Sequence, residues 1–210
     1  MRKVIVSEFM TLDGVMEAPD KWSFQFFNDE AMKFKYDELF ASGALLIGRV
    51  TYEIFAGAWP TLTDEEDLRR VKEAGGDAES IEASMGEGNP FADRMNSIPK
   101  FVVSTTLKQA EWNNSTLIKG NVPEEVAKLK QQPGQDILVA GSCELVHTLM
   151  QHDLIDEYRL MVFPIVLGSG KRLFKDGSET KILRLAETRT FRSGVVVLTY
   201  QPGNSKEERT

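Results

Sequence analysis

Short apolar runs and amphipathic segments alternate along most of this 210-residue chain. The apolar runs are rich in Val, Ile and Leu and seldom alternate with polar residues, which is typical of strands buried on both faces. The segments between them have helical spacing. Strands and helices in alternation predict an α/β protein with a mainly parallel sheet. The predicted strands are 4–9, 44–48, 101–104, 137–141 and 158–166, and the predicted helices are 29–40, 51–56, 124–131 and 142–151.

The C-terminal part of the chain follows a different pattern. Two extended runs, 181–191 and 195–201, are separated by Arg192-Ser193-Gly194, which predicts an antiparallel hairpin. We therefore expect a mixed sheet with an antiparallel edge. A single domain over 1–201 accounts for the pattern, and the polar segment 202–210 is expected to be a disordered tail.

An insertion over 61–97 interrupts the alternation. It begins with an acidic helical stretch, 64–74, and continues through Gly75-Gly76 into a polar, glycine-rich run. An insertion of this length in a compact domain is typical of a lid or binding flap, and disorder is the alternative.

Composition narrows the class of partner. Lys and Arg number 25 and Asp and Glu 32, a net charge of −7 that repels nucleic acid and anionic membranes. Cys143 is the only cysteine, so an intrachain disulfide is impossible. No apolar run has the length of a signal peptide core or a membrane span. We expect a cytoplasmic protein that binds a small molecule, with no nucleic-acid or membrane partner.

The ends of three predicted strands carry residues suited to binding phosphate. The strand at 44–48 ends on Gly48 and turns through Arg49 and Thr51 into a helix, which offers free helix N–H groups, a guanidinium and a close backbone approach. A tight turn with a solvated arginine is the alternative. Ligands of open α/β sheets bind outside the carboxyl ends of strands, so these ends predict one crevice. The other two strands end in Ser104, Thr105 and Thr106, and in Gly141, Ser142, Cys143, Glu144 and Leu145.

Further candidate residues lie near the N-terminus and in the last predicted helix. Asp13, Glu17, Trp22 and Asp29 are candidates for the substrate side, where a carboxylate would supply a proton. Cys143 lies four residues before His147 and could pair with it as a nucleophile, although a buried cysteine is the commoner outcome. The two histidines are five residues apart, so no metal site is predicted.

Taken in order, the motifs resemble those of the dihydrofolate reductase-like superfamily. The resemblance is greater to its riboflavin-biosynthesis branch, the C-terminal pyrimidine reductase domain and its stand-alone bacterial relatives. It covers about residues 2–200. The residues that carry it are Thr11-Leu12-Asp13-Gly14, the run from Gly48 to Glu53, and the stretches 100–106 and 137–174.

The resemblance implies a three-layer fold with NADPH lying across the carboxyl ends of the strands. It implies the pyrophosphate near 141–145 and the adenosine-side phosphate near Arg49, Thr51 and 104–106. It also implies a homodimer and a reductase that transfers a hydride to a small heterocyclic or carbonyl substrate, as 5-amino-6-(5-phosphoribosylamino)uracil reductase does. Where the riboflavin-type enzymes tend to have Glu-Gly-Gly, this chain has Ala140-Gly141-Ser142, so their substrate is not carried over. Dihydrofolate reduction and a non-catalytic NADP(H)-binding module are the alternatives.

Overall fold

The structure is a computed structural model that describes residues 1–84, 89–175 and 179–203. Eight strands and seven α-helices lie within these residues, with short 3₁₀ turns at Pro19–Lys21 and Phe24–Phe26. The strands are β1 Val4–Thr11, β2 Ser42–Gly48, β3 Lys100–Val103, β4 Ser115–Ile118, β5 Asp136–Val139, β6 Glu157–Phe163, β7 Leu183–Thr190 and β8 Val196–Pro202. The helices are α1 Asp29–Ala41, α2 Arg49–Ala58, α3 Asp64–Glu73, α4 Ala78–Ser84, α5 Pro90–Ser97, α6 Val122–Gln131 and α7 Cys143–Gln151.

The strands form a single mixed sheet in the order β4-β3-β2-β5-β1-β6-β8-β7. All pairs from β4 to β6 are parallel, and β8 pairs antiparallel with both β6 and β7. The predicted mixed α/β sheet with a C-terminal antiparallel hairpin is confirmed. The sequence reading missed β4, because this four-residue edge strand has a half-exposed pattern instead of a continuous apolar run. It also missed α4 and α5 in the insertion.

Helices cover both faces of the central strands. Leu39 of α1 and Tyr52 of α2 pack against Ile5 and Ile47 on one face. Val126 of α6 and Val146 of α7 pack with Val4 and Val6 on the other. Neighbouring residues of β1 thus point to opposite faces, and both faces are apolar, which explains why the strands read as continuous apolar runs.

The insertion packs against the domain through its first two helices. Val71 of α3 and Ile81 of α4 are buried in an aromatic cluster with Trp22, Phe27 and Phe163. Removing 75–88 would therefore expose part of this cluster, and we expect it to destabilise the fold. The role of the insertion as a lid stays a prediction. Of the predicted tail, Pro202 ends β8, and 204–210 lie outside the described residues.

The connections of the sheet reverse direction between β2 and β5. From β2 the chain moves outward through α2 to β3, whereas from β5 it moves through α7 to β6 on the other side of β1. Adjacent parallel strands whose connections diverge leave a crevice at their carboxyl ends, where α/β proteins bind ligands. Gly48 and the residues after Val139 lie at this switch point.

Candidate functional site

The turns after β2 and β5 are in direct contact at the switch point. Gly48 N–H donates to the Gly141 carbonyl at 3.3 Å. A Cβ on Gly48 would lie 2.3 Å from Ser142 Oγ, and one on Gly141, whose φ is +72°, would lie 2.8 Å from Thr51 Oγ1. A side chain at Gly48 would displace Ser142, and the positive φ of Gly141 also disfavours one, so glycine at both positions allows the two turns to approach this closely. The structure therefore brings together four residues that the sequence analysis placed in one crevice.

The two helices that begin at this crevice lack side-chain caps. The N-cap residue of α2 is Gly48, which has no side chain, and the N-cap residue of α7 is Ser142, whose hydroxyl accepts no hydrogen bond from the helix backbone. The first N–H groups of both helices are therefore available to an anion, which the helix dipole also favours. By contrast α1, α3, α5 and α6 are capped by the side chains of Asn28, Thr63, Asn89 and Asn121.

Arg49 lies at the rim of the crevice on the first turn of α2. Its guanidinium NH1 contacts both carboxylate oxygens of Glu53, at 3.0 and 2.8 Å, and both side chains are half-exposed. An exposed pair of this kind contributes little stability, so an incoming phosphate can compete for the guanidinium.

The hydroxyl residues after β3 divide into two groups. Ser104 is buried and its Oγ accepts the backbone N–H groups of Thr106 and Leu107 at 3.2 and 2.9 Å. This hydroxyl therefore stabilises its own turn. Thr105 and Thr106 are exposed on the surface of the turn and are available to a ligand.

The residues after Ser142 belong mainly to the helix and its core. Leu145 is buried in the core, and Glu144 is exposed and pairs with Lys175 at 3.0 Å. Cys143 Sγ lies 3.4 Å from His147 Nε2 and donates to the Arg172 carbonyl at 3.1 Å. Burial is the main cause that raises the pKa of the Cys143 thiol.

His147 is satisfied by the backbone. Its Nε2 lies 2.6 Å from the Leu173 carbonyl, so this nitrogen carries the proton that is donated there. A cysteine with a raised pKa beside a histidine bonded to a carbonyl is a structural pair, since nucleophilic cysteines need a lowered pKa.

Asp13 anchors one loop to another. Its carboxylate accepts Thr11 Oγ1 at 2.6 Å and the backbone N–H groups of Leu167 and Gly168 at 3.2 and 2.8 Å. The hydrogen bond from Thr11 is the largest cause that lowers the pKa of Asp13 to about 2. A carboxyl that is ionised at neutral pH and already holds three donors is poorly suited to protonate a substrate.

The other three substrate-side candidates also make structural contacts. Glu17 Oε2 accepts the Lys171 N–H at 3.2 Å, and its carbonyl accepts the indole N–H of Trp22 at 2.9 Å. Trp22 is buried edge-on against Phe163. Asp29, on the first turn of α1, pairs with Arg192 of the β7–β8 turn. Asp13 and Glu17 thus bind the same segment, 167–171, and Glu17 also binds Trp22, whereas Asp29 pairs with a different part of the chain.

One residue at the crevice was missed by the sequence analysis. Glu8 is 6% exposed, and its Oε1 accepts the N–H of Gly141 at 2.7 Å. Burial raises the pKa of Glu8 to about 8. A charged residue in the middle of the apolar run 4–11 was the signal that could have found it, because a buried carboxyl requires a specific partner.

A shallow cleft of about 890 Å³ lies elsewhere, beside α2 and the loop 107–113, between Tyr52 and Trp112. The Tyr52 hydroxyl accepts the Trp112 N–H at 2.9 Å and Asn96 is engaged by Trp112 and Trp59, so its buried polar groups are already paired. We therefore place the candidate site at the switch point, where backbone donors are available.

Across residues 1–84, 89–175 and 179–203, no three His, Cys, Asp or Glu side chains come together in a group that could hold a metal ion. None of the helices that the structure describes has the length and apolar character needed to cross a bilayer.

The family described as RibD C-terminal domain matches residues 2–197. The chain belongs to the RibD C-terminal domain family. The protein YyaP of Bacillus subtilis (strain 168) is 31% identical over 199 residues, which is 95% of this chain and 94% of YyaP.

Solved structures confirm the dihydrofolate reductase-like fold of this RibD C-terminal domain. A riboflavin biosynthesis protein of Shewanella sp. PV-4 superposes with a TM-score of 0.68 at 20% identity, covering 96% of this chain and 99% of that one. The dihydrofolate reductase of Enterococcus faecalis, solved with NADP(H), superposes with a TM-score of 0.56 at 12% identity, covering 96% and 97%. At these identities the likeness concerns the fold.

Proposed function

We propose that this protein is an NADPH-dependent reductase that transfers a hydride to a small heterocyclic or carbonyl substrate. The observation that carries the proposal is the pair of uncapped helices, α2 and α7, that begin on either side of the switch point between β2 and β5. A dinucleotide diphosphate needs such backbone donors and a close approach without side chains. Membership of the RibD C-terminal domain family supports the same activity.

The residues present fit a phosphorylated dinucleotide. The turn at Gly141 and Ser142 and the first turn of α7 would hold the diphosphate. Arg49, Thr105 and Thr106 would hold the adenosine-side phosphate, because they are exposed at the rim and carry a guanidinium and two hydroxyls. Thr51, which lies against Gly141, would position the two turns.

The bound cofactor would supply the hydride, so the chain itself needs little acid–base machinery. The chain itself would bind the cofactor and the substrate, orient them and exclude water from them.

Two measurements test the proposal. NADPH and NADH are titrated by the change in nicotinamide fluorescence, and substrates of the pterin, pyrimidine and flavin-precursor classes are then screened for oxidation of bound NADPH. We expect saturable binding of NADPH and turnover of at least one class. Failure to bind either dinucleotide would contradict the proposal.

A non-catalytic NADP(H)-binding module is the second candidate. The contacts of Asp13, Glu17 and Asp29 favour it, because each of these carboxylates is engaged in holding loops or an ion pair. Tight binding without oxidation of any substrate would support it against the reductase.

Two expectations from the sequence stay predictions, a cytoplasmic location and the homodimer. The sequence offers the apolar run 160–166 either as a contact strip of that dimer or as a core strand. Leu160, Met161 and Phe163 of that strip are buried in the core, whereas Val166 is 65% exposed. If a dimer forms, its contact is therefore expected to involve other surfaces as well.

A further inference from the structure

The strands β1 and β5 separate at the carboxyl edge of the sheet. Their pairing ends at Val6 with Val139, although β1 continues beside β6 as far as Thr11. Gly141 N–H therefore lies beyond the last backbone pair of the two strands. This N–H donates instead to the side chain of Glu8, whose Oε1 accepts the hydrogen bond at 2.7 Å. Glu8 thus spans the gap at the point where the turn toward α7 begins.

The second carboxyl oxygen of Glu8, Oε2, accepts no hydrogen bond from the residues that the structure describes. The residue is 6% exposed, so this oxygen is buried beside the Gly141 turn without a donor among those residues. Since Oε1 already accepts a hydrogen bond, a proton on the group would sit on Oε2 and could be donated to a ligand oxygen.

The charged groups around Glu8 come from both faces of the sheet. Lys35 of α1 lowers the pKa of Glu8, whereas Glu38 of α1 raises it. Cys143 of α7 lies on the same face of the sheet as Glu8. Arg159 of β6 is bonded to Glu38 and Glu157 instead. Lys35 donates to Ser7 and Glu38 at 2.9 and 2.7 Å, so its charge is already shared. No described cation forms an ion pair with the Glu8 carboxyl, which is why burial dominates.

We propose that Glu8 is a positioning residue of the cofactor site that must be uncharged when the diphosphate binds beside Gly141 and Ser142. This inference rests on the proposed function. The neutral acid holds the turn with one oxygen and can donate its proton to a phosphate oxygen with the other. The carboxylate would hold the same turn but would repel the diphosphate, because Glu8 is buried and the repulsion would be only weakly screened.

The pH dependence follows from the raised pKa. Burial places the pKa of Glu8 at about 8, so the group is neutral at pH 7 and ionises above that value. Binding that requires the neutral form weakens as pH rises, and the Kd approaches a rise of roughly tenfold per pH unit above the pKa. Burial lowers the pKa of Lys100 to about 8, so Lys100 titrates in the same range. Lys100 is present in wild type and in both variants of the test, so its titration is common to all three.

The test is a fluorescence titration of NADPH between about pH 6 and about pH 10. Wild type should show a constant Kd at the acid end and a rising Kd beyond about pH 8. Glu8→Gln reproduces the neutral acid, because its amide can accept from Gly141 and donate to a ligand, and it should bind with a nearly flat profile. Glu187→Gln, an exposed change on β7, should retain the wild-type profile.

A flat wild-type profile, or the same rise in Glu8→Gln as in wild type, would overturn this role while leaving NADPH binding intact. Absence of NADPH binding by wild type at every pH would overturn the proposed function, and this role with it. If Glu8→Gln does not fold, ¹³C NMR of the wild-type Glu8 carboxyl replaces it. Saturation with NADPH should then move the carboxyl titration to higher pH, and an unmoved or lowered titration would contradict the role.

Unfolding of the protein without NADPH measures the charge state of Glu8 independently of cofactor binding. The folded pKa of about 8 exceeds the ordinary pKa of 4.5 for a glutamate, so the folded state binds the extra proton between these two pH values. Its free energy of unfolding therefore falls as pH rises through this range, and Glu8→Gln removes that contribution. The stability of Glu8→Gln relative to wild type should rise from about pH 5 to about pH 8, and a constant difference would show that Glu8 is ionised throughout.

Discussion

The two ends of the central strands differ in whether their backbone and charged groups are paired within the protein. At the amino edge, Asp156 accepts the Val4 N–H at 2.8 Å and pairs with Lys130 at 2.6 Å. Asp136 accepts the Lys3 N–H at 2.8 Å. Lys100, fully buried, donates to the carbonyls of Asn96, Ile98 and Asn113 at 2.9 to 3.0 Å. These groups are satisfied within the protein itself.

At the carboxyl edge, α2 and α7 begin without side-chain caps, and glycines bring their turns together. The difference separates residues that stabilise the fold from residues that are available to a ligand. Changes at the amino edge should therefore alter the free energy of unfolding, whereas changes at the carboxyl edge should alter binding.

Lys100→Met should lower the free energy of unfolding by about 2–4 kcal/mol, because three buried carbonyls lose their donor. Urea unfolding measures the loss, and NADPH titration of the folded variant serves as the control. An NADPH Kd that changes by more than about threefold would show that the two edges are coupled.

Arg49→Ala should weaken the binding of NADPH more than that of NADH, by about 1.5–3 kcal/mol, because the extra phosphate loses a charge-assisted hydrogen bond. Parallel titrations with both dinucleotides measure the difference. Arg189→Ala, on the exposed edge strand β7, removes the same charge at a distance and should leave both affinities unchanged. Equal weakening of NADPH and NADH binding would show that Arg49 does not contact the adenosine-side phosphate.

Gly48→Ala should weaken NADPH about tenfold, or ~1.4 kcal/mol, because its Cβ would lie 2.3 Å from Ser142 Oγ and push the α7 turn away. Gly57→Ala in the same helix has open space around its Cβ and should raise stability by about 0.5–1 kcal/mol without changing the Kd. Indistinguishable NADPH affinities for the two variants would contradict a binding role for the contact between the turns.

Glu53→Gln should tighten NADPH binding slightly, because it releases Arg49 from an exposed ion pair worth at most about 1 kcal/mol. The gain should shrink as ionic strength rises, since the pair is solvent-exposed and screened. Titration in low and high salt measures both effects. A loss of affinity would indicate that Glu53 itself contacts the ligand.

Local sequence pattern determined the layers of the protein, because the apolar runs of β1, β2, β5 and β6 are dictated by burial on both faces. It also determined the crevice, since glycines and hydroxyls at strand ends are a local signal. It missed β4, whose four residues are set by pairing with β3 and not by their own pattern. It also missed α4 and α5, because helices of seven and eight residues are too short to show a clear helical periodicity.

The roles of the substrate-side candidates could not be predicted from the local sequence pattern. Asp13 and Asp29 are carboxylates at suitable places in the chain, but their partners, Gly168 and Arg192, lie more than 150 residues away. Only the tertiary structure shows that these carboxylates are already engaged. It likewise decided the role of Glu8, because its burial and its bond to Gly141 depend on the separation of β1 from β5. Backbone periodicity is a local property, whereas the charge state of a carboxyl depends on neighbours that folding brings together.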